Sequence, residues 1–144
     1  MKKIIVLLMF LFATALHAGS EISLKEVMGN GTLKVSLEPK ESPILFLFGE
    51  NCSYCKAQIK EFDCLNENKV SFESIILMKD ERKAFKEKQK LNLRNKLYMS
   101  SEKFEESFQI KKKITPTIII PKQEKFSVVY GKKTCEEILA YGKN

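Results

Sequence analysis

Pro43-Ile44-Leu45-Phe46-Leu47-Phe48-Gly49-Glu50-Asn51-Cys52-Ser53-Tyr54-Cys55 decides the fold. Ile44 to Phe48 is a continuous apolar run of strand length, the pattern of a strand buried on both faces. The next segment, Cys52 to Leu65, places Cys55, Ile59 and Phe62 at i, i+4 and i+7. That spacing predicts an amphipathic helix with its apolar stripe turned toward a sheet. Two cysteines separated by two residues at a helix start can close a small disulfide ring. They can also reopen it, because the helix N-terminus stabilises the thiolate of the first. A strand running into such a pair reads as a thiol–disulfide exchange site. Cys52 is then the exposed nucleophile, and Cys55, one turn inside, is the resolving thiol that attacks the mixed disulfide.

Working outward, Gly29-Asn30-Gly31 marks a turn, and Thr32 to Leu37 alternates like a short strand. Val70 to Met78 predicts a second central strand. Lys79 to Lys90 predicts a charged helix with Asp80 as N-cap, while Leu91 to Met99 fits no single pattern. Ser101 is placed to cap a helix on which Phe104 and Phe108 share a face. Ile114 to Ile120 predicts an apolar strand, and Phe126 to Tyr130 its hairpin partner. Thr134-Cys135-Glu136-Glu137 is a capping box opening a final helix. Strand, helix, strand, helical insert, hairpin and helix in that order predict one α/β domain, a mixed sheet covered on both faces.

Thr115-Pro116 is the second chemical feature. A proline before three isoleucines cannot donate to a sheet ladder, so it belongs at the strand's start or on an edge. A cis peptide bond there would present the Thr115 backbone to an extended substrate. Tyr54, Thr115 and Pro116 are therefore the candidate substrate-contacting residues.

The N-terminus reads as an export signal over residues 1–18, leaving 19–144 as the domain. Lys2-Lys3 precede the apolar stretch Ile4 to Phe12, and small residues follow at Ala13, Ala15 and Ala18. The domain should act outside the cytoplasm, where thiols become disulfides unless something keeps them reduced. Four cysteines are too few for a disulfide-rich scaffold. One reactive pair, Cys52/Cys55, and one structural pair, Cys64/Cys135, is the simplest accounting; a second redox pair or two unrelated buried thiols are the alternatives. Zinc would want four ligands, and the only histidine, His17, lies in the signal segment. No metal or cofactor is expected. The net charge of +7 sits on lysine stretches interleaved with acids and without a stacking array, which reads as solvated helix faces rather than a nucleic-acid site.

With Phe48 to Cys55 followed downstream by Thr115-Pro116-Thr117, the chain resembles the thioredoxin superfamily over roughly residues 35–142. The Cys-x-Tyr-Cys form beside Thr-Pro is most similar to periplasmic disulfide isomerases and reductases. The resemblance implies a thioredoxin-like fold, Cys52 as nucleophile, Cys55 as resolving cysteine and Pro116 as a cis-proline. It implies protein substrates carrying disulfides or thiols, a soluble or membrane-bound redox partner and a periplasmic location; a monomer is expected, because the N-terminal dimerisation domain of periplasmic isomerases is not among these residues. It also puts the helices bearing Cys64 and Cys135 on one side of the sheet, within bridging distance. Two departures stand out. Phe46 occupies the place of a buried Asp in cytosolic-type thioredoxins, and an insert around Lys79 to Ser100 lengthens the middle of the chain. Disulfide formation by the same motif, or peptide binding without catalysis, are the rival functions.

Overall fold

Alternation along β3 (Ile44–Phe48) builds two cores at once, because successive side chains leave opposite faces of a strand. Phe46 and Phe48 enter one cluster with Phe62, Leu65, Ile118 and Ile138. Leu45 and Leu47 enter the other with Ile22, Leu24, Phe104 and Phe108. The computed structural model describes residues 21–111 and 114–142. The export signal predicted over residues 1–18 lies outside the described residues, as do Lys112 and Lys113.

Around β3 the elements are β1 (Glu21–Lys25), β2 (Thr32–Ser36), α1 (Ser53–Ile59), α2 (Phe62–Glu67) and β4 (Phe72–Ile76). After these come α3 (Glu81–Lys90), β5 (Leu97–Met99), α4 (Glu102–Ser107), β6 (Thr117–Pro121), β7 (Phe126–Tyr130) and α5 (Cys135–Gly142). Five strands form one sheet in the order β5-β4-β3-β6-β7. β3, β4 and β5 run parallel, whereas β6 is antiparallel to β3 and β7 to β6. This is the mixed α/β sheet that the element order predicts. Helices α1, α2, α3 and α5 contribute to the Phe46 cluster. The other face is covered by α4 and by the β1–β2 ribbon.

One expectation changes, and two stretches without a readable pattern become strands. The helix predicted to run without a break from Cys52 to Leu65 is two helices. Glu61 N–H donates to Gln58 O at 3.0 Å, three residues back, and this tighter turn resets the helical phase. Within the first helix Gln58, three residues after Cys55, is fully buried, while Ile59, predicted on the stripe, is only half-buried. The unassigned Leu91 to Met99 segment supplies β5, which extends the sheet beyond β4. Finally, β1 pairs with β2 from Glu21↔Ser36 to Lys25↔Thr32, although its polar alternation gave no apolar run to read.

Candidate redox site

Cys52 stands between the end of β3 and the first turn of α1, as that helix's N-cap, with extended backbone (φ −96°, ψ 102°). Its Sγ accepts from Cys55 N–H at 3.2 Å, a donor that Cys52 O shares at 3.2 Å. The two cysteines form a disulfide with Cα atoms 5.3 Å apart. Their exposure differs sharply: Cys52 is half-buried, and Cys55 is fully buried in the Phe46 cluster. Tyr54 projects between them at 67% exposure. An incoming group therefore meets Cys52 and Tyr54 before Cys55.

The sheet brings the Thr115-Pro116 turn to the same end. Leu47 is paired with Thr117 on the antiparallel β6, so the chain beyond Leu47 runs alongside the chain before Thr117. The close fit appears at Gly49, where a Cβ would lie 2.9 Å from Thr115 Oγ1 and 3.0 Å from Thr115 Cγ2. The Thr115–Pro116 peptide bond is cis. Pro116 is buried and Thr115 half-buried; Gly131 N–H donates to Pro116 O at 2.8 Å, and Thr117 Oγ1 donates to Ile114 O at 2.6 Å. Exposed Ile114 and Tyr130 flank the turn.

Beneath Cys55 the support is aromatic. Phe46 lies 4.9 Å from Phe62 and 5.6 Å from Phe72, centroid to centroid. Away from the motif, Cys64 on α2 and Cys135 at the start of α5 form a second disulfide, Cα atoms 6.1 Å apart. Three further contacts tie the same two regions. Gln58 Nε2 donates to Lys133 O at 2.9 Å, Lys133 N–H donates to Gln58 Oε1 at 2.8 Å, and Cys135 N–H donates to Glu61 Oε2 at 3.0 Å.

One part of the site escaped the sequence reading. Glu87 on α3, 4% exposed, reaches the loop before Cys52. Its Oε2 accepts from Asn51 N–H at 3.4 Å and its Oε1 from Lys90 Nζ at 3.2 Å. Asn51 takes a left-handed conformation (φ 52°), which asparagine tolerates better than most residues. Among the described residues, no group of three or more His, Cys, Asp or Glu side chains is gathered to hold a metal.

The parallel β3–β4 pair, the helix opening at Cys52 and the antiparallel β6–β7 hairpin define the architecture. The chain has a thioredoxin-like fold. Solved structures share it at low identity. The exposed lipoprotein thioredoxin Etrx1 of Streptococcus pneumoniae strain TIGR4 is similar at TM-score 0.68 and 16% identity, over 84% of this chain and 96% of that one. A secreted Mycobacterium tuberculosis disulfide oxidoreductase homologous to Escherichia coli DsbE aligns at TM-score 0.58 and 12% identity, over 83% and 95%. StoA of Bacillus subtilis aligns at TM-score 0.59 and 12% identity, over 87% and 98%. No family model matches the chain, and a search of curated proteins finds no match. The thioredoxin-like fold here carries its Cys-x-x-Cys pair at Cys52 and Cys55.

Proposed function

We propose that the protein is an extracytoplasmic thiol–disulfide oxidoreductase that reduces or isomerises protein disulfides, with Cys52 as nucleophile and Cys55 as resolving cysteine. The observation that carries the reading is the asymmetry of the pair: Cys52 half-buried at a helix N-cap, Cys55 fully buried behind it. In the reduced protein the Cys52 thiolate attacks one sulfur of a substrate disulfide. A mixed disulfide forms, and the other substrate sulfur leaves as a thiolate. Cys55 gives its proton to solvent and attacks Cys52 Sγ; the Cys52–Cys55 disulfide forms, and the second substrate thiolate departs. Two electrons pass from the protein dithiol to the substrate. The Cys55 N–H that meets Cys52 Sγ favours the thiolate at position 52, since a hydrogen bond to an anion is stronger than one to a neutral acceptor.

Tyr54, Thr115 and Pro116 form the substrate-contacting surface. Its support is the packing of Gly49 against Thr115, which sets the Cys52 loop beside the turn. Cys64–Cys135 is the structural disulfide, joining α2 to α5 beside the bonds that Gln58 of α1 and Glu61 make to Lys133 and Cys135. The export signal predicted over residues 1–18 and the similarity to a secreted oxidoreductase and an exposed lipoprotein support a periplasmic location. One similar structure is described as a thio-disulfide isomerase, from Thermus thermophilus. The test is a trapping experiment with a disulfide-bonded protein substrate. Cys55→Ser should accumulate a mixed disulfide through Cys52 that reducing gel conditions release. Cys52→Ser should accumulate none; equal trapping by both variants would overturn the assignment.

A further inference from the structure

A cleft of about 300 Å³ opens beside Cys52, and its lining includes Asn51, Lys56, Glu87 and Lys90. We propose that it is a carboxylate-binding subsite, so that the preferred substrate carries an acidic group next to the sulfur under attack. The inference rests on Cys52 being the attacking thiol.

The buried Glu87 carboxylate is not available to a ligand, because it is engaged with Asn51 N–H and Lys90. Its effect is to fix Lys90. The ammonium donates to Glu87 Oε1 at 3.2 Å and to Asn51 Oδ1 at 3.4 Å. An ammonium has three N–H donors, so one is left for a ligand, and the side chain is 59% exposed. Lys56 supplies the second cation. It is exposed on α1, one turn after Cys52, and helical side chains lean toward the N-terminus. Among the described residues it has no ion pair or hydrogen bond. The only exposed acid adjoining the motif in sequence is Glu50. Two ammonium groups thus line the cleft beside Cys52, and its buried carboxylate is held by Asn51 N–H and Lys90.

Three disulfides of similar size test the subsite: 3,3′-dithiodipropionate (anionic), bis(2-hydroxyethyl) disulfide (neutral) and cystamine (cationic). Formation of the Cys52 mixed disulfide with the reduced full chain is followed by acid quench and mass spectrometry. Each rate is divided by that of 2-mercaptoethanol with the same probe, which removes intrinsic reactivity. The neutral probe corrects for any change in the thiolate itself. The normalised anionic-to-neutral ratio should exceed unity severalfold. It should fall about two- to fivefold in each of Lys56→Gln and Lys90→Gln, and shrink in high salt, whereas the remote Lys34→Gln should leave it unchanged. Glu-Cys against Lys-Cys peptide disulfides then show whether a peptide side chain supplies the carboxylate as well as a small thiol does. A wild-type ratio at or below one, or a ratio unmoved in the Lys56→Gln/Lys90→Gln double variant, would overturn the subsite and leave the exchange reaction standing. Failure of Cys52 to react with any probe would overturn both.

Discussion

Gln58 and Gly49 show how single residues hold the site in place. Gln58 is fully buried and makes both of its amide hydrogen bonds to the backbone of Lys133. Gln58→Ala strands that N–H and C=O, and should cost about 2–3 kcal/mol, seen as a lower urea midpoint at unchanged slope. Gly49 is small because Thr115 is close. In Gly49→Ala the new Cβ would press on Thr115 Oγ1 and Cγ2 and push the turn away from the Cys52 loop. Reduction of a protein disulfide should slow about tenfold, while reduction of a small disulfide, which needs no turn, should change little. Cys52, Cys55 and Pro116 were legible from sequence because motif spacing and proline chemistry are local signals. Gln58 and Glu87 were not. Their partners lie 75 and 36 residues away, and nothing nearby in the chain marks a polar side chain as buried.

At the scale of elements, caps were the most readable feature and helix phase the least. Asp80 caps α3, accepting from Arg82 N–H at 3.0 Å and Lys83 N–H at 3.2 Å, and Asp80→Ala should lose about 1 kcal/mol. The tight turn at Glu61 could not be read, because nothing in the local apolar spacing marks where the helix breaks. Helix α3 is also fastened to the β1–β2 ribbon. The Glu81 carboxylate accepts from Lys25 Nζ and from Met28 N–H, each at 2.9 Å, and these bonds, Lys25 first, hold its pKa below the usual carboxylate value. The sign follows from linkage: a lowered folded-state pKa adds stability above the unfolded-state value, lost as pH falls through the folded-state one. Stability curves of wild type and Glu81→Gln should therefore separate near neutrality and converge in acid. Curves that stay parallel to low pH would deny the carboxylate that role.

For the whole molecule, one apolar strand determined most of the architecture. A five-residue run buried on both faces requires cover above and below, and the downstream helices and hairpin supply it. What the sequence left unread was the sheet's outer margin, where β5 is only three residues long and is fixed by pairing with β4 rather than by its own pattern. Cys64 and Cys135 are 71 residues apart, so their bridge closes most of the domain into one loop. Replacing both by alanine should lower unfolding stability by about 4 kcal/mol in the chain-entropy account, without removing Cys52 reactivity; urea unfolding beside a thiol assay measures the two separately. The account's central claim, that Cys52 is the poised thiol of the pair, is tested most directly by iodoacetamide alkylation of the reduced protein across pH, with each cysteine followed by peptide mass spectrometry. Cys52 should react before Cys55, with a midpoint below the free-thiol value of about 8.5. Equal reactivity of the two, or a Cys52 midpoint at or above that value, would contradict it.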